Sequence, residues 1–219
     1  MKQRFTFYTW LLVLVAALGI SSCSDESDAY DAYANWPARN AEYYANITAQ
    51  ARAAIAEAKA LYGTAWEEHC DWRMYKSLSK PPMVIGGMTD SICVRIEARG
   101  AGEQSPTWSD TVRVHYRGTL MPVQNEYGKI EEKVFSQSYM GELNQEIAVP
   151  AKMGVSAAVH GFATALQYMH EGDRWCIYIP AELAYGAKES GAVLPYSTLT
   201  FRVNLVAVYE AGTTVPKWK

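Results

Sequence analysis

Residues 176–186 read Cys-Ile-Tyr-Ile-Pro-Ala-Glu-Leu-Ala-Tyr-Gly, an alternating strand that runs into Pro180 and is followed by the pair Tyr185-Gly186. Proline cannot donate to a strand ladder, so the strand ends there or lies at an edge. Two readings are open: a plain strand-to-turn exit, or the rim of an apolar site with a tyrosine hydroxyl as its polar tip. Elsewhere Tyr116, Phe135 and Phe201 occupy strand-like runs, and Phe162 falls at helical spacing with Leu166. Each of these alone reads as core. No competing chemistry is visible. The four histidines are not at metal-ligand spacing, and there is no CxxC pair, phosphate-cradling glycine loop or GxSxG elbow. His115, His160 and His170 fall on polar faces or at a helix end and are expected to be solvated.

The elements that must position these residues follow from hydrophobic period. The chain has 219 residues, 49% of them hydrophobic, enough for one main domain with an appendage. A net charge of −3 with interspersed signs leaves no basic stripe and argues against a nucleic-acid partner. From Pro37 to Tyr62 the spacing of Tyr44, Ile47, Ala51, Ile55, Ala58 and Tyr62 predicts a helix, with Pro37 in its first turn and Gly63 past its end. Its apolar stripe must pack on the domain behind it or on a second copy, which makes a homodimer through residues 37–62 an expectation. A weaker helix is expected over Thr64–Leu78, and Lys80-Pro81-Pro82 marks a boundary. Beyond it the period becomes two, in runs around Ile92–Glu97, Val112–Arg117, Arg174–Ile179 and Leu199–Leu205. One helix, Ser156–His170, interrupts them. The fold class expected is α+β: a curved, half-exposed antiparallel sheet wrapped on one short helix. Cys93 and Cys176 fall on the polar strand faces, either free or paired with Cys70.

Six separate stretches then occur in one order: Val112-Arg-Val-His-Tyr116-Arg-Gly118-Thr-Leu120, Val134-Phe135, Val159-His-Gly161-Phe162, Met169-His-Glu-Gly172-Asp, Ile179-Pro-Ala-Glu-Leu-Ala-Tyr185-Gly186 and Ser197-Thr-Leu-Thr-Phe201. In order and approximate spacing this set resembles the FKBP-type peptidyl-prolyl cis-trans isomerases, over roughly residues 83–210. The resemblance implies that Phe162 forms the floor of an apolar pocket, that Tyr116, Phe135 and Phe201 line its walls, and that Val193 caps the loop side. It also implies that the Val159 N–H and the Tyr185 hydroxyl hold substrate carbonyls. Isomerising an X–Pro bond breaks no covalent bond, so the resemblance implies no cofactor and no metal, and proline-containing polypeptide segments as partners. The sequence departs from the family at Ser136, where an aspartate usually follows the pocket phenylalanine, and at Phe162, where many members carry tryptophan. Ile147-Ala148-Val149-Pro150 stands where an aromatic wall is frequent, and Met121–Glu132 is an enlarged loop. With Ser136 neutral, a non-catalytic module that grips proline segments as a holdase is the alternative, and an envelope subunit docked through its alanine-rich helix is a third.

At the N-terminus Lys2 and Arg4 precede the apolar run Trp10–Ile20, which ends in Ile20-Ser21-Ser22-Cys23. The run is short for a membrane span, and the order of charge, apolar stretch, small residues and cysteine resembles the bacterial lipobox. This implies a signal peptide over residues 1–22, lipidation at Cys23 and an acidic tether over 23–36. A helical segment over 37–80, the isomerase domain over 81–210 (motif core 110–209) and a tail over 211–219 complete the organisation. The implied location is the outer membrane of a Gram-negative bacterium, facing periplasm or cell surface. Metabolic labelling with a fatty acid should mark the protein and not Cys23→Ala; equal labelling of both would exclude the anchor.

Overall fold

The alternating runs become the strands of one antiparallel sheet. The computed structural model describes residues 31–83 and 86–218, so Cys23 and the signal-like segment lie outside the described residues. The strands are β1 (Trp72–Lys76), β2 (Ser91–Ala98), β3 (Thr111–Leu120), β4 (Val123–Gln124), β5 (Ile130–Glu131), β6 (Val134–Gln137), β7 (Ala151–Gly154), β8 (Arg174–Ile179) and β9 (Leu199–Tyr209). The sheet runs β1-β2-β8-β9-β3-β6, with β7 pairing the opposite end of β3 from β6. The enlarged loop over Met121–Glu132 carries the small hairpin β4–β5. One sheet face presents Ile92, Val94, Ile96, Val112, Val114, Ile177, Ile179, Leu199, Val203 and Leu205 to a single core. The short helix α2 (His160–Leu166) fills that face. Its backbone comes close because position 161 is glycine, where a Cβ would run into Ile179 and Ile92.

Helix α2 is shorter than the expected Ser156–His170. Val155–Ala157 is a 3-10 turn, Ala158 and Val159 are extended, and Gly172 at φ 91 lies past the end. Phe162, Leu166 and Met169 still face the core and Val159 packs at its edge, so a helical spacing survived where the helix itself did not. The helix expected over Thr64–Leu78 is also absent. Gly63–Glu68 is a 3-10 turn, and Trp72–Lys76 is the edge strand β1, paired with β2 from Trp72↔Arg95 to Lys76↔Ser91. Aromatic residues favour a strand with a neighbour to pack on, and tertiary pairing outweighs a weak helical period. Buried Arg73 then donates to the carbonyls of Glu67, Cys70 and Trp72, tying the preceding turn to this edge.

The opposite face of the sheet is covered as well, by α1 (Trp36–Tyr62). Tyr44, Ile47 and Ala51 pack on Cys93, with Trp72, Met74 and Tyr178 around them. The predicted stripe therefore lands on the sheet of its own chain through Tyr44, Ile47 and Ala51, while Tyr62 at its far end is exposed. Cover by α1 also corrects the reading of the cysteines: Cys70, Cys93 and Cys176 are all buried and free. Burial pushes the Cys93 and Cys176 thiols up, so neither is a ready thiolate. His115 is buried too, with Nδ1 unpartnered among the described residues, and burial pushes its pKa down. His160 and His170 are exposed. Ala51 is fully buried between α1 and β2. Ala51→Leu should overpack that layer and lower unfolding free energy in urea by about 1–3 kcal/mol, while Glu57→Gln on the exposed face should change it by less than about 0.5 kcal/mol.

Candidate functional site

Strand β3 pairs β9 on one side and β6 on the other, and the three meet at Gly118, opposite Phe201 on β9 and Ser136 on β6. A glycine inside a strand weakens it unless something must come close. Here a Cβ would stand 2.7 Å from Phe135 Cζ and 2.8 Å from Phe201 Cε1. The missing side chain is the space into which the two rings close. Phe135 meets Phe201 edge-on, with centroids 5.4 Å apart at 87°. From the first turn of α2, Phe162 stacks on Phe201 at 4.6 Å and 19°. Tyr116 completes the group at 6.3 Å from Phe162 and 6.2 Å from Phe201. Phe162 and Phe201 are buried while Tyr116 and Phe135 are half-exposed, so the nest opens on the Tyr116–Phe135 side. Val193 is buried in the same core, and Ser190 and Val193 exchange two backbone hydrogen bonds of 3.0 Å.

The polar tips are few. The Tyr116 hydroxyl lies 2.9 Å from Ser136 Oγ, a pairing that the Gly118↔Ser136 register sets up. Val159 is extended at φ −59, ψ 151; its carbonyl accepts the Ala163 N–H at 2.9 Å, and its own N–H has no partner among the described residues. Pro180 ends β8 as the sequence requires, and its carbonyl accepts the Leu183 N–H at 3.0 Å in the 3-10 turn Ala181–Leu183. Fully buried Leu183, which sequence reasoning passed over, anchors this turn in the core. Tyr185 follows, 38% exposed and in no ring contact with the four nest aromatics among the described residues. The sequence-predicted residues thus divide. Tyr116, Phe135, Ser136, Phe162 and Phe201 come together, Val193 is buried in the core they share, Val159 packs against that core at the start of α2, and Tyr185 stands apart, exposed. Ile147 and Val149 are 79% and 61% exposed and build no wall. Among the described residues no cluster of His, Cys, Asp and Glu is arranged to hold a metal.

Residues 102–206 match the family model of the FKBP-type peptidyl-prolyl cis-trans isomerases. This region is an FKBP-type domain. It contains all eight candidate residues and leaves α1, β1 and β2 outside the match. A macrophage infectivity potentiator from Trypanosoma cruzi is 35% identical over 52% of this chain and 52% of its own length. The outer membrane protein MIP of Legionella longbeachae is 34% identical over 61% of this chain and 50% of its own. An FKBP-type 22 kDa peptidyl-prolyl cis-trans isomerase of Escherichia coli is 38% identical over 47% and 43%. The chain spans about half the length of these relatives. The crystal structure of FkpA from Escherichia coli is similar at a TM-score of 0.45 and 27% identity, covering 76% of this chain and 64% of that one. Within the FKBP-type domain, Gly118 was read only as part of a motif and given no role; its signal was a glycine in an otherwise good strand. Gly118→Ala should force Phe135 and Phe201 apart. Expected are a loss of about 1–3 kcal/mol in urea unfolding and weaker near-ultraviolet circular dichroism from the rings, with the far-ultraviolet spectrum unchanged.

Proposed function

We propose that the chain is a peptidyl-prolyl cis-trans isomerase acting on proline-containing segments of other polypeptides. The observation that carries the reading is the four-ring nest around Phe201, closed below by Phe162 and open at Tyr116 and Phe135. The barrier to X–Pro rotation is ~18–20 kcal/mol because the amide must give up its resonance on the way. A twisted amide is less polar than a planar one, so a dry aromatic nest favours it over the ground state. Fixed donors then hold the flanking carbonyls: the Val159 N–H, free of any partner among the described residues, and the Tyr185 hydroxyl at the rim. Ser136 holds the Tyr116 hydroxyl at 2.9 Å and so orients the open wall. A thousandfold acceleration requires ~4 kcal/mol of differential stabilisation, within reach of desolvation and two such bonds.

The proposed setting is the cell envelope. The lipobox-like end at Cys23 supports it, as does a relative named as an outer membrane protein. An outer-membrane lipoprotein, anchored by more than one acyl chain for firm attachment, is the form proposed.

The second reading, a holdase without turnover, is favoured by one observation: the neutral Ser136 hydroxyl stands where the family carries a charge. One assay separates the two. The protein should accelerate isomerisation of an X–Pro peptide, and Phe162→Ala should return it to the uncatalysed rate by opening the floor to water. Ser136→Asp should raise kcat/KM about fivefold, since a charge-assisted bond to Tyr116 regains about 1 kcal/mol of barrier. If the wild type binds proline peptides but leaves their isomerisation at the uncatalysed rate, the holdase reading replaces the enzyme.

A further inference from the structure

Residues 186–198 form the loop between the rim tyrosine and the strand that carries Phe201, and within them pairing is confined to the isolated bridge Ser190–Val193. The loop contains a backbone conformation that needs outside support. Tyr196 has φ 60, a left-handed geometry that costs a bulky residue of order 1–3 kcal/mol and persists only where its surroundings over-determine it. Beside the Ser190–Val193 bridge, the loop restrains itself through the Tyr196 N–H, which donates to the Gly186 carbonyl at 2.8 Å. Further restraints come from α1, 161 and 158 residues away in sequence. The Trp36 indole N–H donates to Ser197 Oγ at 2.9 Å, and the Ser197 hydroxyl donates to the Leu194 carbonyl at 2.6 Å. The Thr198 N–H donates to Asn40 Oδ1 at 2.8 Å, and the Thr198 hydroxyl to the Asn40 carbonyl at 3.2 Å. Asn40 is itself fixed, its Nδ2 donating to the Trp36 carbonyl at 2.9 Å. Trp36, Asn40, Ser197 and Thr198 are all buried, so water does not compete for these bonds.

We propose that Trp36 and Asn40 are positioning residues of the isomerase site. Through Ser197 and Thr198 they set the loop that buries Val193 in the core shared with the nest and fix the entry of the strand bearing Phe201. The inference rests on the isomerase reading above, and it assigns part of the site's geometry to residues outside the matched region 102–206. The two bonds do different work. Trp36 acts on the loop interior, because its partner Ser197 Oγ is the group that holds the Leu194 carbonyl next to Val193. Asn40 acts on the junction, because Thr198 is three residues from Phe201.

The test compares Trp36→Phe, which keeps an aromatic ring and drops the N–H, with Asn40→Leu, which drops the side-chain acceptor. Ala51→Leu is the control: it strains the same helix at a point that does not touch the loop. In both positioning variants, hydrogen exchange at residues 190–198 should speed up about tenfold while β2 and β3 keep their protection. KM for an X–Pro peptide should rise about fivefold with kcat within about twofold, as expected when binding geometry is loosened and the aromatic floor is intact. Ala51→Leu should move neither. Unchanged exchange in the loop overturns the proposal, as does an equal change of KM in Ala51→Leu, which would make the effect one of general stability. Faster loop exchange with unaltered KM also overturns it. An inactive wild type whose variants still show the localised exchange overturns the isomerase reading and leaves the restraint of the loop by α1 standing.

Discussion

Phe201 is the ring on which the other three depend. It touches Phe162 face to face, Phe135 edge-on and Tyr116 at an angle, and it stands opposite Gly118, which has no side chain to keep the rings apart. Stacked and edge-on aromatic pairs each add about 0.5–1.5 kcal/mol beyond the area they bury. The nest is therefore part of the core rather than a hollow cut into it. This joins two demands that proteins often separate. The surface proposed to receive substrate is made by the same contacts that hold α2 on the sheet, so its geometry is set by the folding of the domain.

The sheet is covered on both sides, by α2 on the site face and by α1 on the other. Two-sided cover explains side chains that otherwise look misplaced. Cys93 and Cys176 sit on positions that alternate away from the main core, yet both are buried and their thiols are pushed up by burial. Arg73 is buried at the sheet's edge with its guanidinium on three backbone carbonyls. The helix does more than shield: its first turns bond Ser197 and Thr198, so the cover on one face reaches around to the loop of the other.

How much of this was legible depended on whether the cause was local. Period two placed four strands because each needs only its own alternation, and the ordered motifs named the nest residues. The helix caps at Pro37 and Gly63 were likewise local signals. What failed was decided by distant partners. Trp72–Lys76 became a strand because β2 offered it a ladder, which no window of its own sequence reports. His115 and the two cysteines were read as solvated or on polar faces because alternation shows which residues share a face and not whether a helix will cover it. Residues 156–170 kept a helical spacing although only His160–Leu166 is helix, since a turn and an extended pair can point side chains at the same core. Gly118 was quoted within a motif, but its reason, a collision between two rings from other strands, exists only in three dimensions.

The order in which the strands pair also governs when the chain can finish folding. β2 waits for β8 and β3 waits for β9, and the first turns of α1 wait for Ser197 and Thr198, separations of 161 and 158 residues for the two helix bonds. Long-range pairing of this kind is slow, because loop-closure entropy is lost before any contact compensates it. A ribosome releasing the chain would expose α1 long before Ser197 and Thr198, so the domain cannot close until β9 has emerged.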